Sequence, residues 1–234
     1  MTQAKIYLIP VPISAHNPAS LSVEISRIVP QLRHYFVENI RTARRFIKSI
    51  YKEADIDNTH FSEIDKHNGA DKNLFKKWIT EGKAIGIMSE SGCPGIADPG
   101  AELVAMAQEM NVEIIPLVGP SSLLLALMAS GLNGQQFCFN GYLPVKEPAR
   151  SKEIKTLEHF SKQNNQTQLF IETPYRNNTL LNDFLKNCND ATKLCIAFNI
   201  TAPNAFIKTK TIHQWKQENI TLEKEPCVFL LLAH

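Results

Sequence analysis

Two kinds of segment alternate along this chain of 234 residues: short apolar runs rich in β-forming residues, and longer stretches whose apolar residues recur at helical spacing. The runs predict strands over residues 5–11, 34–37, 84–88, 113–117, 137–140, 168–172, 194–199, 206–209 and 227–232. The longer stretches predict helices over residues 19–28, 42–51, 73–81, 101–110, 123–129, 151–160 and 178–186. Strands that alternate with helices predict an α/β fold.

The length admits one large α/β domain or two small ones, and the helix predicted over 123–129 favours two. This helix is apolar all round, follows serine caps and ends at Gly131. A helix of that kind needs cover on several sides, as at a seam between domains. We therefore predict an N-terminal α/β domain over 1–118 and a C-terminal α/β domain over 119–234.

Charge and composition exclude several classes of protein. The formal net charge of +2 is too small for a basic stripe that grips nucleic acid through many phosphates, so any RNA contact should be local. The longest apolar run is far shorter than the roughly 20 residues of a membrane span, and the N-terminus lacks the features of a signal peptide. The cysteines and histidines show no metal-binding spacing. These features predict a cytoplasmic protein without a membrane span or a metal site.

Two loops rich in glycine, proline and serine follow predicted strands. The first, over 89–100, has the sequence SESGCPGIADPG, and the second, over 117–123, has the sequence LVGPSSL. In an open α/β sheet, loops at the carboxyl ends of strands bind ligands through backbone N–H groups and helix N-termini. The same compositions are also compatible with a tight turn and a plain helix cap that hold no ligand. Neither loop has a P-loop motif or the dinucleotide-binding glycine pattern.

In this order, SESGCPGIADPGAELV followed by IIPLVGPSSLLLALMASGL resembles the tetrapyrrole methylase superfamily of S-adenosylmethionine-dependent methyltransferases. Within it, the chain is most similar to the bacterial family that methylates a ribose 2′-oxygen of a cytidine in small-subunit (16S) ribosomal RNA. Further matching segments are IYLIPVPI from Ile6, ENIR from Glu38, FCFNGYLP from Phe137, FIETPYR from Phe170 and AFNIT from Ala197. The resemblance covers nearly the whole chain.

The resemblance implies two α/β domains with a cofactor cleft between them, S-adenosylmethionine as the cofactor, and a homodimer. It also implies a set of cofactor-contacting positions in this chain. They are Pro12, Ser91, Gly92, Cys93, Ile96, Ser121, Ser122, Leu123, Ile171, Ala197 and Cys227. Cys93 has no cationic neighbour in sequence, so we expect its backbone rather than a reactive thiol to matter.

A ribose hydroxyl is a poor nucleophile at neutral pH, so a general base or a polarising contact would assist methyl transfer. The candidate catalytic residues are Glu38 and Arg41, after the second predicted strand, and Glu172 and Arg176, near the end of the strand over 168–172. In a parallel sheet both pairs would face the cleft. The alternative for each pair is a structural ion pair or a cap.

A basic segment follows the strand over 137–140, in the place where the ribosomal RNA relatives carry one. Its cations, Lys146, Arg150 and Lys152, are predicted to contact phosphates of ribosomal RNA or of the small ribosomal subunit. A solvated loop and helix start would have the same composition.

The sequence departs from the family in two loops. The first-strand loop reads PISAHN from Pro12 and has no glycine, and TAPN from Thr201 replaces the family's Leu-Thr-Lys. These departures leave two alternatives open. One is methylation of a tetrapyrrole such as a corrin precursor, and the other is a degenerate member that binds the cofactor or RNA without turnover.

Overall fold

The computed structural model describes residues 3–14, 20–65 and 68–234. By its internal contacts the chain divides into two compact units, Met1–Ser121 and Ser122–His234. We call them unit 1 and unit 2. The division falls three residues beyond the predicted boundary after residue 118, directly before the apolar helix.

Unit 1 contains four α-helices and five β-strands in the part of the chain that is described. In order they are β1 (Lys5–Leu8), α1 (Val23–Ile28), β2 (His34–Val37), α2 (Ile40–Ile50), β3 (His60–Glu63), α3 (Lys72–Thr80), β4 (Ala84–Met88), α4 (Ala101–Glu109) and β5 (Glu113–Pro116). Helix α2 begins two residues earlier than predicted because the Asn39 side chain accepts hydrogen bonds from the backbone N–H groups of Arg41 (2.9 Å) and Thr42 (3.2 Å).

The sheet of unit 1 is entirely parallel, with strand order β3-β2-β4-β1-β5. Helices cover both of its faces. Ile25 of α1 and Ile47 of α2 pack into one buried cluster, and Phe75 of α3 and Leu103 of α4 pack into another. A sheet buried on both faces explains why its central strands are continuous apolar runs rather than alternating ones.

The strand order creates a switch point between β1 and β4. The connection from β1 leads to β2 on one side, whereas the connection from β4 leads to β5 on the other side. Because such crossovers are right-handed, the chain after β1 and the chain after β4 lead to helices α1 and α4 on opposite faces of the sheet. A crevice at this place is where open α/β sheets bind ligands.

Unit 2 also contains four α-helices and five β-strands. They are α5 (Ser122–Ser130), β6 (Phe137–Phe139), α6 (Ala149–Asn164), β7 (Thr167–Glu172), α7 (Asn177–Asn187), β8 (Lys193–Phe198), β9 (Phe206–Thr211), α8 (Ile212–Lys216) and β10 (Cys227–Leu232). Helix α5 packs on one face of the sheet, where Ala126 and Leu127 meet Leu169 and Val228. Helices α6, α7 and α8 cover the other face through residues such as Phe184 and Trp215.

The sheet of unit 2 is mixed, which corrects the parallel sheet expected there. Its order is β6-β7-β10-β8-β9, with β6 parallel to β7 and every other pair antiparallel. Strands β6, β7 and β8 still run in one direction, so their carboxyl ends share an edge with the amino ends of β9 and β10. Glu172 therefore lies at the same edge as Phe198, although not in a parallel sheet.

Two elements were absent from the prediction, and one helix is less covered than expected. Strand β3 is a four-residue edge strand with two exposed residues, and α8 has only five residues, so neither has a long periodic pattern. Helix α5 was expected to be covered on several sides, but Leu124 is 52% exposed and Met128 79% exposed. Across residues 3–14, 20–65 and 68–234, no helix combines the length and apolarity needed to span a bilayer.

Candidate functional site

Three loops meet at the carboxyl edge of the unit 1 sheet, beside its switch point. They comprise residues 9–14 after β1, 89–100 after β4 and 117–121 after β5, and we call them the three-loop edge. The first two are joined by a hydrogen bond from the Val11 N–H to the Gly92 carbonyl (2.9 Å) and by one from the Ser91 hydroxyl to the Ile13 carbonyl (3.2 Å). The edge is therefore one connected structure built largely from backbone.

Two glycines set how closely these loops approach. A Cβ placed on Gly119 would lie 2.1 Å from the Cβ of Pro10, so only glycine fits where the third loop crosses the first. Gly92 has a φ of +68°, a left-handed conformation that glycine adopts without steric cost. The glycines that marked these loops in the sequence are thus required by close approach and by turn geometry.

The tip of the loop over 89–100 presents both apolar surface and backbone donors. Ile96 is 52% exposed although it is a large aliphatic residue, and Ala97 has a φ of +61°, which is rare for a residue with a side chain. Within the described residues, the backbone N–H groups of Cys93 and Ala97 donate no hydrogen bond to the protein. An apolar contact beside available amide donors suits a ligand with an aromatic base and polar edges, such as the adenosine of S-adenosylmethionine.

The Cys93 thiol has the environment of an unreactive group. It is half-buried and donates to the Pro120 carbonyl at 3.3 Å. Burial raises the pKa of this thiol, and the negative charge of Asp98 raises it further. Since the thiolate is the nucleophilic form, this environment agrees with the expectation that the backbone of Cys93 matters rather than its sulfur.

Glu38 and Arg41 lie next to the three-loop edge but do not form an ion pair with each other in the described structure. One carboxylate oxygen of Glu38 accepts a hydrogen bond from the Glu90 N–H at 3.0 Å, and the Glu38 N–H donates to the Met88 carbonyl at 3.2 Å. Glu38 therefore fixes the start of the loop over 89–100. Arg41 is exposed in the first turn of α2.

Glu172 and Arg176 do form an ion pair, within unit 2. The Glu172 side chain is only 2% exposed, and it also accepts a hydrogen bond from the Thr173 N–H at 2.7 Å. The pair closes the turn between β7 and α7. This arrangement favours the structural alternative for these two residues over direct catalysis.

The other predicted cofactor positions divide between the units. Pro12 and Ser121 are half-buried in the loops of the three-loop edge, whereas Ser122 and Leu123 begin α5 in unit 2. Residues 15–17 of the divergent first-strand loop lie outside the described part of the chain. In the parts that are described, no group of three or more His, Cys, Asp or Glu side chains is arranged to hold a metal ion.

Three of the predicted cofactor contacts lie at strand ends of the unit 2 sheet, and its register places them on two different faces. Ile171 and Ala197 lie on the face covered by α5, in the same cluster as Leu123. Cys227 is buried in the cluster on the opposite face, where burial raises the pKa of its thiol. Val228, which pairs with both Ile171 and Ala197, holds the position on the α5 face. The side chain of β10 that faces α5 could not be identified from the sequence, because the facing of side chains in β10 depends on its pairing register.

The three cations of the basic segment in unit 2 differ in their exposure to solvent. Lys146 and Lys152 are exposed, as a phosphate contact requires. Arg150 is only 8% exposed and is held by Asp183 (2.6 Å), by Glu147 (3.3 Å) and by the Val145 carbonyl. We therefore do not retain Arg150 as a phosphate contact, because its guanidinium already joins the start of α6 to α7.

Comparison with known proteins gives several sequence relatives. No model of a known protein family matches the chain. The chain is 27% identical over 230 residues to a protein of Buchnera aphidicola (subsp. Schizaphis graminum) named ribosomal RNA small subunit methyltransferase I, covering 97% of this chain and 77% of that protein. It is 26% identical to the protein of the same name from Escherichia coli O157:H7, covering 100% of this chain and 79% of the relative. The Synechocystis protein of that name is 35% identical, but over only 60% of this chain and 48% of its own length.

Solved structures share the fold at low sequence identity. A diphthine synthase has a TM-score of 0.65 and 12% identity, covering 98% of this chain and 90% of that one. The methyltransferase CobJ has a TM-score of 0.64 and 14% identity, covering 100% and 95%. A Thermus thermophilus uroporphyrin-III C-methyltransferase, in complex with S-adenosylhomocysteine, has a TM-score of 0.56 and 12% identity, covering 97% of both chains. The resemblance predicted from the sequence is thereby confirmed: the chain has the fold of the tetrapyrrole methylase superfamily and is a relative of the ribosomal RNA small subunit methyltransferases I.

Proposed function

We propose that this chain is an S-adenosylmethionine-dependent methyltransferase that acts on ribosomal RNA of the small subunit. The three-loop edge is the observation that carries the proposal, because it places tight glycine loops and available N–H groups at the switch point of a parallel sheet. The names of the relatives supply the acceptor class, and the ribose 2′-oxygen of a cytidine is the acceptor that we propose within it.

The backbone of Cys93 and Ala97 and the side chain of Ile96 are the groups that we propose to hold the cofactor in unit 1, together with Pro12, Ser91, Gly92 and Ser121. In unit 2 we propose Ser122, Leu123, Ile171 and Ala197, with Val228 in place of the Cys227 side chain. S-adenosylmethionine, when bound, supplies a methyl group that its sulfonium already activates, so positioning of the acceptor oxygen is the main task of the protein.

In the proposed reaction, a bond forms between the methyl carbon and the ribose oxygen, and the bond between the methyl carbon and sulfur breaks. S-adenosylhomocysteine is left as a neutral thioether. The hydroxyl proton is released to a base or to water. We propose that Glu38 positions the loop over 89–100 and that Arg41 contacts the acceptor, whereas Glu172 and Arg176 stabilise the turn after β7.

The cofactor is tested by titration calorimetry with S-adenosylmethionine and S-adenosylhomocysteine. We expect binding in the wild type and a loss of at least about tenfold in affinity for Ile96→Asp, because a carboxylate replaces the exposed apolar contact. Val23→Asp is the matched control, since Val23 is also a large exposed aliphatic residue, 67% exposed on α1. No binding by the wild type would refute an active methyltransferase and favour a degenerate member.

The acceptor is tested by transfer of radiolabelled methyl groups to small ribosomal subunits and to free 16S ribosomal RNA, followed by mapping of the modified nucleotide. The fold is shared with uroporphyrin-III C-methyltransferase, so a tetrapyrrole is the second candidate acceptor. Methyl transfer to uroporphyrinogen III or to a corrin precursor, without transfer to RNA, would establish that alternative instead.

The cytoplasmic location and the homodimer are also proposals. A ribosomal RNA acceptor supports the first. The exposed Leu124 and Met128, which lie one turn apart on α5, support the second because large exposed apolar surfaces commonly mark interfaces. Light scattering during gel filtration tests the dimer, and Met128→Lys is expected to shift the protein toward the monomer.

A further inference from the structure

Helix α2 carries four cations and no acidic residue. They are Arg41, Arg44, Arg45 and Lys48, at the i, i+3, i+4 and i+7 positions of one helix face. At about 100° of rotation per residue, all four fall within an arc of roughly 100°. We call this surface the α2 basic face. The small net charge of the whole chain gave no sign of such a local concentration.

The opposite face of α2 packs into the core of unit 1, so the four cationic side chains point toward the solvent. Ala43 and Ile47 are buried in unit 1, and Ile40, Phe46 and Ile50 pack partly against the same cluster. All four cationic residues are exposed. The apolar arc is thus used for the core, and the basic arc is presented to the solvent.

The charges of the α2 basic face are not neutralised within the described structure. No carboxylate of residues 3–14, 20–65 or 68–234 lies within ion-pair distance of these four side chains, whereas Lys5 and Lys72 pair with Glu113 and Glu102, each at 2.9 Å. Two of the four have other contacts. The Arg44 guanidinium lies 5.4 Å from the centre of the Phe61 ring, and the Lys48 ammonium donates to the Lys52 carbonyl at 3.0 Å.

Asp55 is an acidic residue on which the charge of Lys48 acts. Hydrogen bonds from Asn58 lower the pKa of Asp55 first, and the charges of Arg33 and Lys48 contribute less. Asp55 therefore offsets a small part of the positive charge without holding any of the four cations.

The charge pattern does not serve the helix itself. Arg41 and Arg45, and likewise Arg44 and Lys48, are like-charged pairs at i, i+4 spacing, which destabilise a helix slightly. Arg41 also lies in the first turn, where the helix dipole disfavours a positive charge. A cationic face that costs helix stability, is exposed and has no carboxylate partner among the described residues fits an external polyanion.

We propose that the α2 basic face is the docking surface for the phosphate backbone of the acceptor RNA, an inference that rests on the proposed function. Helix α2 begins two residues after Glu38, whose carboxylate holds the loop over 89–100, so the surface adjoins the three-loop edge. Arginine and lysine contacts to phosphates position RNA without reading its sequence, which leaves acceptor selection to the candidate site. The exposed Lys146 and Lys152 belong to unit 2 and are not part of this surface.

The test compares Arg45→Gln/Lys48→Gln with Lys76→Gln/Lys77→Gln. The second pair removes two exposed cations from α3, which packs on the other face of the unit 1 sheet. Binding to 16S ribosomal RNA is measured across a salt series, with calorimetry of S-adenosylmethionine binding and thermal unfolding on the same preparations. We expect the α2 variant to bind RNA roughly tenfold more weakly, with a salt slope reduced by about 1 for each lost cation, and the α3 variant to match the wild type.

We expect the α2 variant to bind S-adenosylmethionine as tightly as the wild type does and to unfold at the same or a higher temperature. A loss of RNA binding would then not result from misfolding. A swap that keeps the charges, Arg45→Lys/Lys48→Arg, should retain RNA binding. Equal RNA binding by the α2 variant and the wild type, with methyl transfer intact, would overturn the docking surface but not the proposed function. Loss of RNA binding in the α2 variant, when the wild type binds RNA without methylating it, would retain the surface and overturn the function. Wild-type binding to vesicles of anionic lipid but not to RNA would overturn both.

Discussion

At the residue scale, the three-loop edge depends on a few side chains whose size or chemistry is fixed by a neighbour. Gly119 shows this most directly, since a Cβ there would lie 2.1 Å from the Cβ of Pro10. We expect Gly119→Ala to lower the free energy of unfolding by about 3 kcal/mol, because two backbone segments would have to separate. Gly134→Ala is the control, with no atom within 4 Å of its added Cβ, and should change stability by less than about 0.5 kcal/mol in urea unfolding.

Substitutions of Glu38 can show whether this residue positions the loop over 89–100 or takes part in the chemical step. Its carboxylate accepts the hydrogen bond of the Glu90 N–H, and glutamine keeps an acceptor oxygen at that place whereas alanine does not. We expect Glu38→Ala to weaken S-adenosylmethionine binding roughly tenfold and Glu38→Gln to stay within about threefold of the wild type, both measured by calorimetry. If Glu38→Gln binds the cofactor normally but no longer transfers methyl groups, Glu38 is instead a general base.

The features that sequence reasoning located correctly are loops whose shape is set by backbone geometry. Glycines and prolines mark a tight loop in the sequence itself, so the loops over 89–100 and 117–123 were recognisable. Arg150 and Cys227 were not, because their surroundings are set by residues far away in sequence: Asp183 for the first, and the register of β10 for the second. Long-range pairing of this kind leaves no local pattern.

At the element scale, the strands of unit 1 were predictable because a parallel sheet buried on both faces produces continuous apolar runs. Strand β3 was missed because an edge strand with half-exposed residues lacks such a run. The direction of β9 and β10 also has no signature in the sequence, since apolar runs look alike whichever way the strand pairs. The basic arc of α2 was visible in the sequence, but its importance depended on knowing that no carboxylate of the described residues pairs with it.

The start of α6 offers a paired test of two neighbouring cations with different surroundings. Arg150 is held by Asp183 on α7, whereas Lys152 is exposed. We expect Arg150→Met to lower the free energy of unfolding by about 3 kcal/mol without changing the salt dependence of RNA binding, because it leaves Asp183 without its partner in a poorly solvated place. Lys152→Gln should do the opposite, leaving stability unchanged and reducing the salt slope by about 1. If Arg150→Met changes the salt slope of RNA binding, Arg150 is a phosphate contact after all.

At the scale of the whole molecule, the two units differ in how their stability responds to alkaline pH. Unit 2 contains three buried thiols, Cys188, Cys195 and Cys227, and burial raises the pKa of each above the ordinary value of 9.0. Unit 1 contains Cys93, which is half-buried, and Tyr35, whose pKa burial raises from 10.0. Both units therefore begin to lose stability above pH 9, but unit 2 loses more of it because it holds three such thiols and unit 1 holds one, while Tyr35 contributes only above pH 10.

The sign of this effect follows from proton binding. Above pH 9 the unfolded chain releases the thiol protons while the folded unit keeps them, so the stabilisation from neutral burial is complete below pH 9 and is lost as the pH rises toward the folded pKa values. With about 1.4 kcal/mol per pH unit for each group, Cys188 and Cys227 together give a loss of roughly 3 kcal/mol per unit, and Cys195 adds to this loss until the pH reaches its own folded pKa. Urea unfolding from pH 7 to 10.5 under reducing conditions, followed by Trp215 fluorescence in a Trp78→Phe background, should show this decline in unit 2. Cys195→Val should make the decline with pH smaller. A midpoint that does not change between pH 8 and 10.5 would mean that the thiols ionise as readily in the folded unit as in the unfolded chain.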